Sequence, residues 1–137
     1  MPNFDLPYFQ IELPANTVDA SSFCYALPAS GRFHPSIVIK FRDLPAQQQL
    51  KDFAAVQVKK MQGQLKDFEM LEQPRAEGPD QISLSYRWGA DDSRFRQFLI
   101  FRQRGVRVFM VTGTLLEEGG LQHANMLQAS MRSFRPK

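Results

Sequence analysis

The stretch RFRQFLIFRQRGVRVFMVTGTL, residues 94–115, decides the fold class of this chain. Apolar residues are dense on both sides of a short polar segment at Arg104-Gly105, where glycine favours a tight turn. The stretch therefore predicts two strands, Arg94–Gln103 and Val106–Leu115, paired as an antiparallel hairpin.

Both predicted strands are apolar on two faces. Side chains of a strand alternate between the faces of its sheet, so Leu99 and Phe101 share one face while Phe98 and Ile100 share the other. One interpretation is a central hairpin between two helical layers, where both faces are dry. The other is that both helices lie on one side, and that the opposite face meets a partner or a second copy of the chain. The sequence alone leaves both interpretations open.

The rest of the chain supplies shorter strands and two helices. Five further strands are predicted at Phe9–Leu13, Ser22–Leu27, Ser36–Arg42, Glu69–Ala76 and Gln81–Trp88. A long helix is predicted after Leu44, with Pro45 at its first helical position, and a second helix follows Gly119-Gly120. So few helices cannot join all these strands as βαβ units. We therefore predict one α+β domain, residues 1–137, with a largely antiparallel sheet and two main helices.

The composition limits the possible function classes. The chain has 137 residues, 43% of them hydrophobic and 12% aromatic, which suffices for one sizeable core. One cysteine and two histidines cannot form an internal disulfide or a four-ligand zinc site. The first residues lack the basic and apolar regions of a secretion signal, and no apolar run is long enough to span a bilayer. We expect a cytoplasmic protein that is not inserted in a membrane and carries no metal or cofactor.

Catalytic sequence patterns are absent. The sequence contains no HExxH, CxxC or G-x-S-x-G motif, no phosphate-binding glycine loop and no dinucleotide fingerprint. Asp91-Asp92 falls in a predicted hairpin turn, where adjacent acids are commonly solvated. His34 and His123 have no acid or nucleophile beside them in the sequence. These observations favour a binding protein over an enzyme.

Five of the eleven arginines fall between Arg94 and Arg107, which raises a nucleic-acid hypothesis. A basic stripe on a hairpin can contact phosphates. The net charge is only +3, however, and Arg96 and Arg102 share a strand face with apolar residues. These arginines are therefore expected to flank an apolar patch or to pair with acids, and nucleic acid is not the expected partner.

Two glutamines interrupt apolar patterns. Gln57 lies within the helical stripe formed by Leu50, Phe53, Ala54, Met61 and Leu65, and Gln97 lies on the strand face of Phe95, Leu99 and Phe101. An amide both donates and accepts hydrogen bonds, and a buried amide needs partners. Either these amides bond within the core, or Gln97 is exposed at a strand end, or both point into an apolar groove and fix the register of a bound segment.

The sequence resembles the DcrB-like proteins of the PsbP/Mog1 fold, and among them the Eag group, the effector-associated chaperones of bacterial type VI secretion. The resemblance extends from Phe4 to about Pro136 and rests on the order and spacing of several short motifs. These motifs are Ile11-Glu12-Leu13-Pro14, Leu27-Pro28-Ala29-Ser30-Gly31, Asp52-Phe53 with Gln57, Tyr86-Arg87-Trp88, and Arg96-Gln97 with Phe101.

The resemblance implies a curved antiparallel sheet and a homodimeric chaperone. Such a chaperone shields the N-terminal apolar helices of a PAAR-containing toxin effector and aids its loading on the VgrG spike. By matched positions, Gln57 and Gln97 would be polar contacts to the client helix. The lining of the groove would come from Ile37, Ile39, Phe41, Leu65, Phe95 and Leu99, with Cys24 at its edge. The alternative that the looser relatives imply is a small-molecule or lipid-binding domain without chaperone activity.

Overall fold

The computed structural model describes residues 3–6, 9–12, 23–27, 34–89 and 93–137, the first two ranges as backbone only. Within these ranges the strands are β1 (Asn3–Leu6), β2 (Phe9–Glu12), β3 (Phe23–Ala26), β4 (Ser36–Asp43), β5 (Glu69–Ala76), β6 (Gln81–Trp88), β7 (Phe95–Arg104) and β8 (Arg107–Leu116). The helices are α1 (Leu50–Gln64), the short turn α2 (Glu117–Gly120), a 3₁₀ helix (Leu121–His123) and α3 (Ala124–Arg132). The predicted turns at Pro28–Gly31 and Asp91-Asp92 lie outside the described residues.

Six strands form one antiparallel sheet in the order β3-β4-β8-β7-β6-β5. The predicted hairpin is its centre: β7 and β8 pair over their whole length, from Phe95 opposite Leu116 to Arg104 opposite Arg107. The predicted α+β class and the antiparallel sheet are confirmed. A separate pair, β1 with β2, includes one strand that the sequence analysis missed, because Asn3 and Asp5 have low strand propensity.

The two main helices lie on opposite faces of this sheet. Helix α1 packs mainly on β6 and β7, where Phe53 contacts a core that includes Leu99 and Phe101. Helix α3 packs on β8 and β4 from the other side, where Leu127 joins a core with Ile100. We call these faces the α1 side and the α3 side. The first interpretation of the two-faced hairpin is therefore the one that the structure shows.

Helix α1 begins five residues later than predicted. Leu44 donates its backbone N–H to Val106 O, and residues 46–47 form a turn before the helix. Gln47 has φ +66°, which no residue inside a right-handed helix adopts. Pro45 therefore precedes this turn and is not the first helical residue.

A close approach of β8 and α3 fixes the second helix. Gly113 lies directly beneath α3, and a Cβ atom there would be only 3.1 Å from Leu127 Cγ and still closer to Met131. Leu127 and Met131 are both buried. A glycine at this position is thus required for the helix to rest on the sheet.

Candidate functional site

The sheet separates the predicted lining residues into two groups. The strand register places Phe95, Gln97 and Leu99 on the α1 side, whereas Ile37 and Ile39 lie on the α3 side. Phe41 shares the α3 side and has its ring 5.9 Å from that of Phe109. One groove in a single chain cannot contain both groups. The prediction that they share one lining is therefore wrong, and the cause is the strand phase chosen for β4.

The β4 residue that shares a side with Gln97 is Val38. It pairs with Cys24 on β3 and with Thr112 on β8, and Thr112 in turn pairs with Leu99. Cys24 is exposed and lies on this same side. Cys24, Val38 and Gln97 therefore share the α1 side of the sheet. Of these three, Val38 was the residue that the sequence analysis had set aside in favour of Ile37 and Ile39.

Burial further divides the predicted residues. Ile37 and Leu99 are 8% and 4% exposed and serve as core residues under α3 and α1 respectively. Leu65 is half-buried and packs against the α1-side core. Phe95 is half-buried, with its ring 5.2 Å from that of Trp88. A ligand on the α1 side would therefore meet the half-buried residues and not Leu99.

Gln97 is the centre of a side-chain hydrogen-bond chain across three strands. Its Oε1 accepts a bond from Trp88 Nε1 at 2.9 Å, and its Nε2 donates to Thr114 Oγ1 at 2.8 Å. An amide has two N–H donors and two oxygen lone pairs, so one of each is left for a further partner. The chain fixes the orientation of the amide, which is half-buried and not at the end of the strand.

Gln57 lies in the middle of α1 and is half-buried. Helical spacing of three to four residues places it on the same stripe as Phe53 and Met61, both of which pack toward the sheet. Within the described part of the chain its amide makes no side-chain hydrogen bond. It is thus a polar group beside the α1-side core that has donors and acceptors to offer.

Beyond the main contacts of α1, the outer strands present small side chains on the α1 side, and Lys40 and Arg42 follow them along β4 on the same face. We call this set the small-residue surface; its members are Cys24, Ala26, Ser36, Val38, Thr112 and Thr114. Cys24 and Ala26 are exposed, and the other four are half-buried. Small side chains on one face allow another backbone to approach closely. The surface carries hydroxyl and amide groups at its inner border, where Thr114 meets Gln97.

Charged residues occupy the diagonally opposite part of the sheet, on the α3 side of β5 and β6. We call this set the ion-pair surface; its members are Glu69, Glu77, Arg87, Arg96, Glu117 and Arg132. Arg87 bonds Glu69 at 2.7 Å and Glu117 at 3.0 Å, and Arg96 bonds Glu117 at 3.2 Å. The charged groups of this surface are therefore paired with one another, although Arg96 Nε and Glu117 Oε2 are buried without a hydrogen-bond partner among the described residues.

Glu77 is the most strongly perturbed acid of the ion-pair surface. Arg132 donates two hydrogen bonds to it, at 2.7 and 3.2 Å, and Ser83 and Gln81 donate further bonds. These bonds, led by that from Arg132, lower the pKa of Glu77 from its usual 4.5 to about 2. The carboxylate is charged throughout the physiological range.

The arginines that suggested nucleic acid are largely paired with acids. Arg94 and Arg96 contact Glu69 and Glu117 at 3.8 and 3.2 Å. Arg107 contacts Asp43 at 3.5 Å and stacks over the ring of Phe41 at 4.7 Å. Pairing with acids was one of the two expectations for Arg96 and Arg102; Arg96 forms such a pair, whereas Arg102 contacts Gln81 and no acid among the described residues.

Sequence reasoning missed Val38, Thr112, Thr114 and Trp88 as members of the α1 side. The signal for Thr112 and Thr114 was their alternation with Gly113 in a strand already predicted. No comparable signal existed for Val38, because β4 is apolar on both faces and its phase depends on pairing with β8.

Among the described residues no group of histidine, cysteine and acidic side chains could hold a metal ion. No described helix is both long and apolar enough to cross a membrane.

Comparisons with known proteins agree with this architecture. The family model described as DcrB matches residues 9–133. A comparison with curated protein sequences gave no match.

Solved structures resemble the chain in fold. PA94 of Pseudomonas aeruginosa, described as a protein of unknown function and a candidate regulator, has a TM-score of 0.77 at 22% identity, covering 100% of this chain and 97% of its own. The Ran-binding protein Mog1p of Saccharomyces cerevisiae has a TM-score of 0.52 at 12% identity, covering 95% and 83%. A mutant of Mog1 has a TM-score of 0.51 at 11% identity, covering 91% and 84%.

Proposed function

The chain belongs to the DcrB family, and from this premise we propose that it is a type VI secretion effector-associated chaperone. It binds the N-terminal apolar helices of a PAAR-containing toxin effector, keeps them from water, and aids loading of the effector on the VgrG spike. The working form is a cytoplasmic homodimer without catalytic activity. The observation that carries the proposal is the small-residue surface, which Gln97 borders through Thr114.

The chemistry of this surface suits an apolar helix. Covering apolar area releases about 25 cal/mol per Å² whatever the sequence of the helix. Side chains such as Ala26, Val38 and Thr112 project little from the sheet, so a helix can lie close to the strands. Shape and burial thus supply affinity with little demand on the client sequence.

The two glutamines supply what burial alone does not. A helix can bind an apolar surface in several registers. An amide favours the register in which a serine, a threonine or an unpaired backbone carbonyl of the helix can form a hydrogen bond with it. The orientation of Gln97 is held by Trp88 and Thr114, and one donor and one acceptor of its amide remain for a client. Gln57 offers a second contact from α1.

Co-expression with the apolar N-terminal region of a toxin effector encoded by a neighbouring gene tests this proposal. We expect a soluble complex with two copies of this chain per client, measured by copurification and native mass determination. Val38→Asp puts a charge into the surface and is expected to abolish the complex, whereas Val56→Asp makes the same change at a residue that is 45% exposed on α1. Equal binding by the two variants would show that the helix does not occupy this surface.

The glutamines are tested separately. Gln57→Ala with Gln97→Ala is expected to weaken client binding about tenfold through the loss of two hydrogen bonds, while Gln62→Ala, an exposed change on the same helix, leaves it unaltered. Trp88 is the single tryptophan and donates to Gln97, so its fluorescence reports client binding directly. A double variant with unchanged client affinity would remove both glutamines from the site.

A second candidate function rests on a different hollow. On the α3 side a pocket of about 340 Å³ is lined mainly by apolar residues, among them Tyr25, Ile39 and Phe134. This volume lies within the range of small-molecule sites, so it supports a lipid or other apolar ligand. Native mass spectrometry of the purified chain would detect such a ligand. An empty chain that still rescues an insoluble effector fragment would reject this alternative.

A further inference from the structure

One cleft collects the arginines that have no acidic partner. Six described arginines form ion pairs, namely Arg75, Arg87, Arg94, Arg96, Arg107 and Arg132. Of the four described arginines that form none, Arg42 is on β4, and Arg102, Arg104 and Arg135 all line one hollow of about 620 Å³. The cleft thus holds three of the four described arginines that have no acidic partner.

The cleft is built from three segments that the fold brings to one end of the sheet. Asp80 comes from the turn before β6, residues 102–105 from the end of β7 and its turn, and Arg135 and Pro136 from the chain after α3. Arg104 donates to Pro136 O at 2.8 Å, and Gln103 N–H donates to Asp80 O at 2.8 Å. These bonds hold the segments together.

The guanidinium groups keep donors for a ligand. Arg104 and Arg135 each use Nη1 for backbone carbonyls, and Arg102 contacts Gln81 Oε1 at a long 3.4 Å. Each guanidinium has five N–H donors in a planar fork that matches a carboxylate or phosphate.

We propose that this cleft binds an acidic segment of a partner protein through its carboxylates. The hollow of about 620 Å³ has room for more than one carboxylate, and three guanidinium groups line it. A nucleic acid carries one charge per about 1.7 Å of duplex and needs a longer basic row than three arginines with Asp80 among them. The site is on the α3 side, so this inference does not depend on the helix-binding function proposed for the α1 side.

The test uses the whole chain and a fluorescein-labelled hexaglutamate peptide, with anisotropy measured at low and at high salt. We expect binding that weakens as salt rises. Arg104→Gln with Arg135→Gln should reduce affinity about tenfold, because two exposed ion pairs are lost. Lys59→Gln with Lys60→Gln removes the same charge from exposed positions on α1 and should leave affinity unchanged. Equal weakening by both pairs, or no binding at low salt, would overturn the proposal.

A variant that binds the peptide more tightly cannot owe its effect to misfolding. Asp80 places a carboxylate in the cleft, so Asp80→Asn is expected to tighten peptide binding about threefold through lower repulsion. Peptide binding that is weaker or unchanged in Asp80→Asn would count against binding of the peptide in this cleft. Inorganic phosphate and a short DNA duplex serve as competing probes. If either binds the cleft while hexaglutamate does not, the acidic-segment proposal is wrong.

Discussion

The small-residue surface and the ion-pair surface occupy diagonally opposite parts of the sheet, and they differ in what they leave unsatisfied. Helix α1 covers the β6–β7 half of one side, and α3 covers the β8–β4 half of the other. Each side therefore keeps one region beyond its helix. On the α1 side this region has mostly small, uncharged side chains, with Lys40 and Arg42 farther along β4 on the same face, whereas on the α3 side it has acids and arginines that bond one another.

This difference shows where a partner gains free energy. Ion pairs that are already formed must be desolvated, and usually broken, before a partner can replace them. Uncharged small residues with free amide groups at their border impose no such cost. The same fold thus yields one surface suited to an apolar segment and another that is closed by its own charges.

The largest effect is expected where α1 rests on the sheet. Phe101 is fully buried and lies edge-on to Phe53 of α1, with ring centroids 6.0 Å apart. Phe101→Ala should lower the free energy of unfolding by about 3–5 kcal/mol, since it leaves a large cavity. Chemical denaturation measures this. Val106→Ala, at a position 67% exposed, is the control. A loss below about 1 kcal/mol in Phe101→Ala would contradict the packing of α1 on this half.

The next effect tests the position of α3. Gly113→Ala forces a Cβ atom against Met131 and Leu127 and should lower stability by about 1–3 kcal/mol through overpacking. Gly63→Ala is the control, because nothing lies within 4 Å of the added atom and the helix gains propensity. Thermal unfolding of both variants separates steric conflict from the general effect of the substitution. If Gly113→Ala and Gly63→Ala had equal stability, α3 would not lie directly over Gly113.

The local chemistry of each element explains how much of the fold could be predicted from the sequence. Strands β5 and β6 were predicted with their observed bounds because polar turns flank them, and the central hairpin was displaced by only one residue. The start of α1 was wrong because Gln47 adopts a left-handed conformation that no propensity forecasts. Local pattern thus determines which elements exist, and tertiary contacts decide where they begin.

The candidate site was less predictable than the fold. Gln57 and Gln97 stood out because each breaks an apolar pattern, and both are half-buried on the α1 side. The side on which Ile37 and Val38 lie depends on the register with β8, which connects residues more than 70 positions apart. Hydrogen bonds such as Trp88 to Gln97 are likewise products of pairing between strands. Sequence patterns alone predict neither the strand register nor these hydrogen bonds.

The two surfaces should also differ in their response to acid. The folded-state pKa of Glu77 is about 2, below the usual 4.5, so its stabilisation is complete above pH 4.5 and is lost as the pH falls toward 2. Glu77→Gln should cost about 1–2 kcal/mol at neutral pH, and this difference should shrink in that acidic window. Glu118→Gln, an exposed change, should show no such trend. A pH-independent cost would mean that ion pairing of Glu77 contributes nothing.

The smallest expected effect sharpens the comparison at the border of the small-residue surface. Gln97→Ala removes two side-chain hydrogen bonds, but Trp88 and Thr114 are half-buried and water can replace the amide. Stability should therefore fall by only about 0.5–1 kcal/mol, while the fluorescence of Trp88 shifts to the red as water reaches its N–H. Gln103→Ala, on the same strand but with its side chain bonded to Gly105 O and not to Trp88, should leave the emission unchanged. A loss of several kcal/mol in Gln97→Ala would instead make this amide part of the core, closed to a client like the ion pairs on the opposite side.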